Sequence, residues 1–337
     1  MTNVRAKIIL GLACVFAAGG ILAQVSVLSV TDEDKYTVKE DFSHTFEYSI
    51  SPLTKDFNTI GKCQATRIAR RWFVTAAHCV QSCTKGCLIQ MDLLDQPVSA
   101  WARVKHTPQK PAIFADPDFS SREFVKHDLA LIRLDLDRTP LTYYRRSEQK
   151  EQPAQLLSRQ QFNKFLAGNS AARSALYHVK SPSFPPLLVF DEGNFRLDRN
   201  VSVISIFDGK RTVKLNTSPV HYIKALGYAY TNNFGIVPGM SGSGVMSNTG
   251  ELVGLISGIF QVSKKQPGTD GPASVKKEFF MFFAFNRPAI EFMKGVMGSD
   301  FDKLDVKDAY PGYAKKSRQN YAEIIRQINA LQKPPSK

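Results

Sequence analysis

Three absences narrow the sequence before any motif is considered. No repeat of fixed period runs through its 337 residues, which sets repeat architectures aside. The 44 Lys and Arg behind its formal charge of +14 are dispersed, with no dense basic tract and no nucleic-acid-binding motif. General solubility and weak attraction to anionic cell-surface polymers account for that charge, and nucleic acid is not an expected partner. The apolar run from Ile8 to about Ala18 is too short to span a bilayer. Preceded by Arg5 and Lys7 and followed by small residues at Ala17 to Gly20 and at Ala23, it has the form of a secretory signal over residues 1–23, cut between 18 and 26.

Cysteine is scarce too: of five, Cys14 lies in the signal, leaving Cys63, Cys79, Cys83 and Cys87. A lipoprotein site at Cys14 is disfavoured, because Gly11 stands where a large apolar residue is expected. An even set of thiols in an exported chain permits disulfides, with three pairings open. The spacings form no paired CxxC knuckles, so zinc is the weaker alternative and no metal is assigned.

What is present points to β structure. The 43% of apolar residues are ample for a core, and the 21 Gly and 18 Pro are spread between short Val, Ile, Phe and Leu runs. Residues 24–60 read as a leader with a strand-like patch at Phe46 to Ile50. A first β half follows over 61–138, with strands at Arg67 to Ala76, Leu88 to Leu93, Ala100 to Lys105 and Leu129 to Leu134. Residues 139–200 read as a connection with an insertion and a short helix near Gln160 to Leu166. Strands return over 201–298, at Val201 to Phe207, an Asp208-Gly209 hairpin turn, Thr212 to Asn216, Val220 to Tyr230, Gly244 to Ser247, Glu251 to Ser257 and Glu278 to Phe285. Pro288 opens a helix through about Met297, and 299–337 read as a helical extension carrying Tyr321, Ile324, Ile325, Ile328 and Leu331 at helical spacing.

Three motifs carry chemistry. Thr75-Ala76-Ala77-His78-Cys79 follows the apolar Trp72-Phe73-Val74, and offers an imidazole as general base. Asp128, 50 residues later, heads the apolar strand Leu129-Ala130-Leu131-Ile132, where a carboxylate can hold the histidine tautomer; neighbouring His127 is expected to be exposed. In Pro238-Gly239-Met240-Ser241-Gly242-Ser243-Gly244, glycines allow a sharp turn that presents a hydroxyl, with Ser243 as the rival nucleophile to Ser241. The order His, Asp, Ser rejects the α/β-hydrolases, whose serine comes first and whose elbow ends in Gly.

These motifs resemble those of the chymotrypsin/trypsin-like serine peptidases, over roughly residues 60–298. The resemblance implies an all-β fold of two six-stranded-type antiparallel β-barrels with a catalytic cleft between them and C-terminal helices. It implies a triad of His78, Asp128 and Ser241, an oxyanion hole of the Gly239 and Ser241 backbone amides, a Cys63–Cys79 disulfide that leaves Cys83 to pair with Cys87, and no cofactor. Substrate-pocket candidates by the same likeness are Gly235, Ser257, Gly258 and Ile259. Trypsin-type enzymes place an acidic residue six positions before the nucleophile. Here that position is Gly235, which suits small or medium uncharged side chains. Met240 replaces the acidic residue that pairs with a freshly cut N-terminus in zymogen enzymes, and no activation site is visible. The expected protein is a secreted or periplasmic serine endopeptidase acting on protein or peptide substrates. The alternative is a catalytically silent binding protein on the same scaffold.

Overall fold

Short β-branched and aromatic runs broken by turns form strands, and strands need partners to bury one face. The computed structural model satisfies that need with two sheets. It describes residues 9–10, 38–40, 47–53, 61–92, 98–120, 127–136, 138–145, 155–169, 184–190, 201–207, 210–216, 220–223, 227–232, 235–247, 250–264 and 275–308. The signal cleavage region, the Asp208-Gly209 turn and the 321–331 helical segment lie outside these residues. No helix among the described residues is long and apolar enough to cross a membrane.

The first sheet has nine strands among the described residues, in the order Gln155–Leu157, Thr142–Arg145, Val98–His106, Cys87–Asp92, Glu47–Leu53, Cys63–Ala69, Trp72–Thr75, Ala130–Arg133 and Ile113–Ala115, every pair antiparallel. The second has eleven, built around Leu252–Lys264. Its main path runs His221–Ile223, Tyr228–Asn232, Val275–Ala284, Leu252–Lys264, Gly244–Ser247, Val201–Phe207, Lys210–Asn216 and Val38–Glu40. Ile9–Leu10 adds antiparallel to Leu252–Lys264. Leu187–Val189 joins it in parallel and carries Val306–Asp308 on its other side. The protein is thus mostly β, with two antiparallel sheets and the Arg287–Met297 helix beyond them.

Several elements differ from the sequence expectation. Glu47–Leu53, placed in the leader, is the central strand of the first sheet, because Tyr48 and Ile50 are fully buried in its core. The single strand expected over Arg67 to Ala76 is a hairpin, turned at the exposed Arg70-Arg71. Val220 to Tyr230 likewise folds back, His221–Ile223 against Tyr228–Asn232. Part of the expected connection belongs to the first sheet, through Thr142–Arg145 and Gln155–Leu157. The Arg159–Gly168 helix follows, closed by a capping box of Ser158 and Gln161. After Met297 the described chain forms a 3₁₀ turn, Gly298–Lys303, and a short strand rather than a helix.

The two sheets meet through a shared core. Ile68, Trp72, Val74, Leu129 and Leu131 of the first pack with Tyr228, Leu252, Leu255 and Phe283 of the second and with Ile290 and Met293 of the C-terminal helix. Asp300 ties the helical end to the first sheet, accepting from Trp72 Nε1 at 2.9 Å and Arg71 Nε at 2.6 Å. The Trp72 bond foremost, against the cost of burial and with Arg71 and Lys303 assisting, holds its carboxyl at about 2. Cys63–Ala69 lies in this seam and is buried at every position, its polar Gln64, Thr66 and Arg67 included.

Candidate active site

His78 sits in a 3₁₀ turn, Ala77–Cys79, immediately after the Trp72–Thr75 strand. The turn is clamped to the neighbouring strand by a Cys63–Cys79 disulfide, and Cys83–Cys87 is bonded as well. The grouping of Cys63, His78 and Cys79 therefore offers no thiolate to a metal. Asp128 is wholly buried at the head of Ala130–Arg133 and holds the histidine at two points. Its Oδ1 accepts from the His78 backbone N–H at 2.9 Å and its Oδ2 from His78 Nδ1 at 2.8 Å.

Burial pulls the His78 pKa down, but the charge of Asp128 and its hydrogen bond outweigh that, leaving it above the ordinary 6.5. His127, next to Asp128 in the chain, has a φ of +49°, is half-buried rather than exposed, and places its Nδ1 3.5 Å from Asp116 Oδ2. Burial foremost raises the Asp116 pKa, partly offset by the Asp118 amide and His127.

Two further residues complete the environment of Asp128. Ser257, a pocket candidate from sequence, gives its hydroxyl to Asp128 Oδ2. It can do so because the register of Leu252–Lys264 against Val275–Ala284 shifts between Ile256 and Gly258. Such a bulge re-aims the residue it leaves unpaired. Tyr228 OH lies 3.3 Å from Ser257 Oγ, and burial foremost, then the Asp128 charge, pushes its phenol well above its ordinary value. The family likeness marks Ser257 only as a pocket candidate and gives no sign of its bond to Asp128, and Tyr228 heading a strand is an ordinary occupant.

The serine loop, residues 238–243, comes from the second sheet and touches the first. Gln64 N–H donates to Ser241 O at 2.7 Å, and Cys79 Sγ lies 3.8 Å from Ser241 O and 3.7 Å from His78 Nε2. Ser241 is thereby brought beside His78, although Ser241 Oγ is not hydrogen-bonded to His78 Nε2. Ser243, the rival nucleophile, is fully buried with its Oγ unpaired, out of reach of any substrate. Gly239 and Gly242 adopt φ of +94° and +83°, the turn geometry expected of them. Gly235 is buried with φ +88°, Gly258 opens onto free space, and Ile259, next to it in the chain, is half-buried.

Gly242 lies hard against the first sheet. A Cβ there would lie 2.2 Å from Gln64 O and 2.5 Å from Thr75 Oγ1. Gly242→Ala is therefore expected to cost roughly 1–3 kcal/mol for the backbone conformation and about as much again for overpacking. Urea denaturation would measure it, and wild-type stability would disprove this contact.

Residues 43–170 match the trypsin family's sequence model, a span that includes His78 and Asp128 but ends before Ser241. No curated protein matches the chain. Similar solved structures include an inactivated protease paralogue of the scabies mite, at 13% identity and TM-score 0.40 over 77% of this chain and 98% of that one. A Glu endopeptidase is similar at 12% and 0.42, over 78% of this chain and 96% of its own. HL collagenase is similar at 14% and 0.39, over 77% and 96%. Over residues 43–170 the chain is thus similar to the trypsin family, on a mostly β fold of two sheets.

Proposed function

We propose that this protein is an active serine endopeptidase, exported from the cell in which it is made. The observation that carries the proposal is the buried His78–Asp128 pair with Ser241 docked beside it through Gln64 and Cys79. Ser241 Oγ attacks the peptide carbonyl carbon while His78 Nε2 takes its proton; Asp128 keeps the Nδ1 proton in place and stabilises the imidazolium. The carbonyl oxygen, now an oxyanion, is met by the Gly239 and Ser241 amides, which donate to no partner among the described residues. His78 then protonates the leaving amine, and water, deprotonated by the same imidazole, releases the acid and restores Ser241. A gap between serine and histidine in the ligand-free state is common, since such bonds tighten when substrate binds.

Two disulfides suit an oxidising compartment outside the cytosol. Signal cleavage would remove Ile9–Leu10 and with it only an edge addition to the second sheet. The uncharged surroundings of Gly235 favour small or medium uncharged residues before the scissile bond.

The decisive test is reaction with a fluorophosphonate. Peptide mapping should place the adduct on Ser241, with none on Ser241→Ala. Folded protein that takes up no label would favour the catalytically silent binding protein instead.

A further inference from the structure

We propose that Gln64 is a positioning residue that locks the oxyanion loop through its side chain, a device resting on the triad assigned above. Gln64 belongs to the first sheet, in the Cys63–Ala69 strand, and is 3% exposed. Burying a carboxamide is costly unless it is hydrogen-bonded, and here it reaches across the seam: Nε2 donates to Gly239 O at 3.2 Å. The same residue donates its backbone N–H to Ser241 O at 2.7 Å and accepts from Thr75 Oγ1 at 2.7 Å on its own carbonyl. One residue of the first sheet thus grips the serine loop at both Gly239 and Ser241.

The chemical consequence lies in which peptide is held. The unit between Gly239 and Met240 has its carbonyl bound by Gln64 and its N–H donated to Val237 O at 3.2 Å. Held at both ends, it cannot turn over, and the peptides on either side carry the two amides assigned to the oxyanion. Gly239, at φ +94°, has little intrinsic resistance to such a turn, because glycine populates both signs of φ. Restraint must come from outside the loop. Met240 offers no charge for an ion pair; its buried side chain folds back so that Val237 N lies 3.4 Å from its own Sδ. Gln64 supplies the missing anchor from a different sheet, so the loop is competent without a new N-terminus.

The test compares wild type with Gln64→Met, which keeps length and loses the donor, and with Gln64→Asn, which keeps the amide but falls short of Gly239. Three quantities are read: kcat and KM on a peptide anilide, inhibition by a peptide boronate whose tetrahedral adduct places an oxygen at the Gly239 and Ser241 amides, and hydrogen exchange of the Met240 amide. Both variants should lose about tenfold to a hundredfold in kcat. KM should change less than twofold, boronate affinity should fall in proportion to kcat, and Met240 exchange should quicken. Wild-type kcat and boronate affinity in either folded variant would overturn the role, as would losses in KM and melting temperature that track kcat. If wild type itself neither cleaves nor labels at Ser241, the peptidase assignment fails. Met240 exchange still reports the anchor: quickening sustains it, and unchanged exchange refutes it.

Discussion

Ser241→Ala should lose about a millionfold in kcat, since nucleophile and base act as a unit and removing either leaves only what binding and the oxyanion donors contribute. It should do so without harm to the fold. Ser241 Oγ accepts no described hydrogen bond, and the contacts that seat the loop, Gln64 N–H to Ser241 O and Gly242 N–H to Ile256 O, are made by backbone. Its stability is expected within about 0.5 kcal/mol of wild type. His78→Ala should lose as much activity but also some stability, because it strips the Nδ1 bond from a carboxylate that is wholly buried. Leaving such a group short of a partner costs about 1–3 kcal/mol. The pair of measurements, turnover and urea denaturation on both variants, separates a chemical role from a structural one. Turnover by Ser241→Ala near that of wild type would end the triad assignment, and Ser243 could not inherit it from its buried position.

The contact between His78 and Asp128 is legible in the sequence because each sits in a local run with its own conformational logic, a strand then a tight turn, and an aspartate heading a buried strand. The sharp turn around Ser241 is legible for the same reason, since positive φ at Gly239 and Gly242 favours glycine. Gln64 and Ser257 are not. Their roles depend on which strands of the two sheets face each other, and sequence spacing carries no trace of that. In Cys63-Gln64-Ala65-Thr66 polar and apolar residues alternate, so Gln64 reads as the outward residue of an ordinary strand although every position is buried. The hairpins at Arg70-Arg71 and before Tyr228 are hidden in the sequence on different grounds. The first turn has neither glycine nor proline, and the second is marked only by a single glycine, Gly227, at φ +69° within a strand-like run. Glu47–Leu53 reads as leader in the sequence because the partners that make it a central strand, Cys63–Ala69 and Cys87–Asp92, come later in the chain.

Asp128→Asn should lower kcat at neutral pH by about ten-thousandfold and shift the pH profile downward. The carboxylate accepts from the His78 backbone, from Nδ1 and from Ser257. A carboxamide has one acceptor oxygen and an NH₂ that must face one of these donors. If that NH₂ meets Nδ1, the imidazole proton moves to Nε2, the nitrogen facing Ser241, which can then take no proton from the hydroxyl.

The same substitution removes both influences that raise His78, leaving burial, which lowers it. In wild type the base must be neutral, so kcat/KM should climb with pH through a midpoint above 6.5. In Asp128→Asn that midpoint should fall below it. Stability moves in the opposite sense to activity. Because the folded pKa is raised, the His78–Asp128 contribution is complete below the ordinary 6.5 and fades as pH rises through the folded value. Wild type should therefore lose stability across that window, and Asp128→Asn should not. Coincident pH–rate limbs for the two proteins, or equal stability slopes above neutral pH, would show that Asp128 does not govern the protonation of His78.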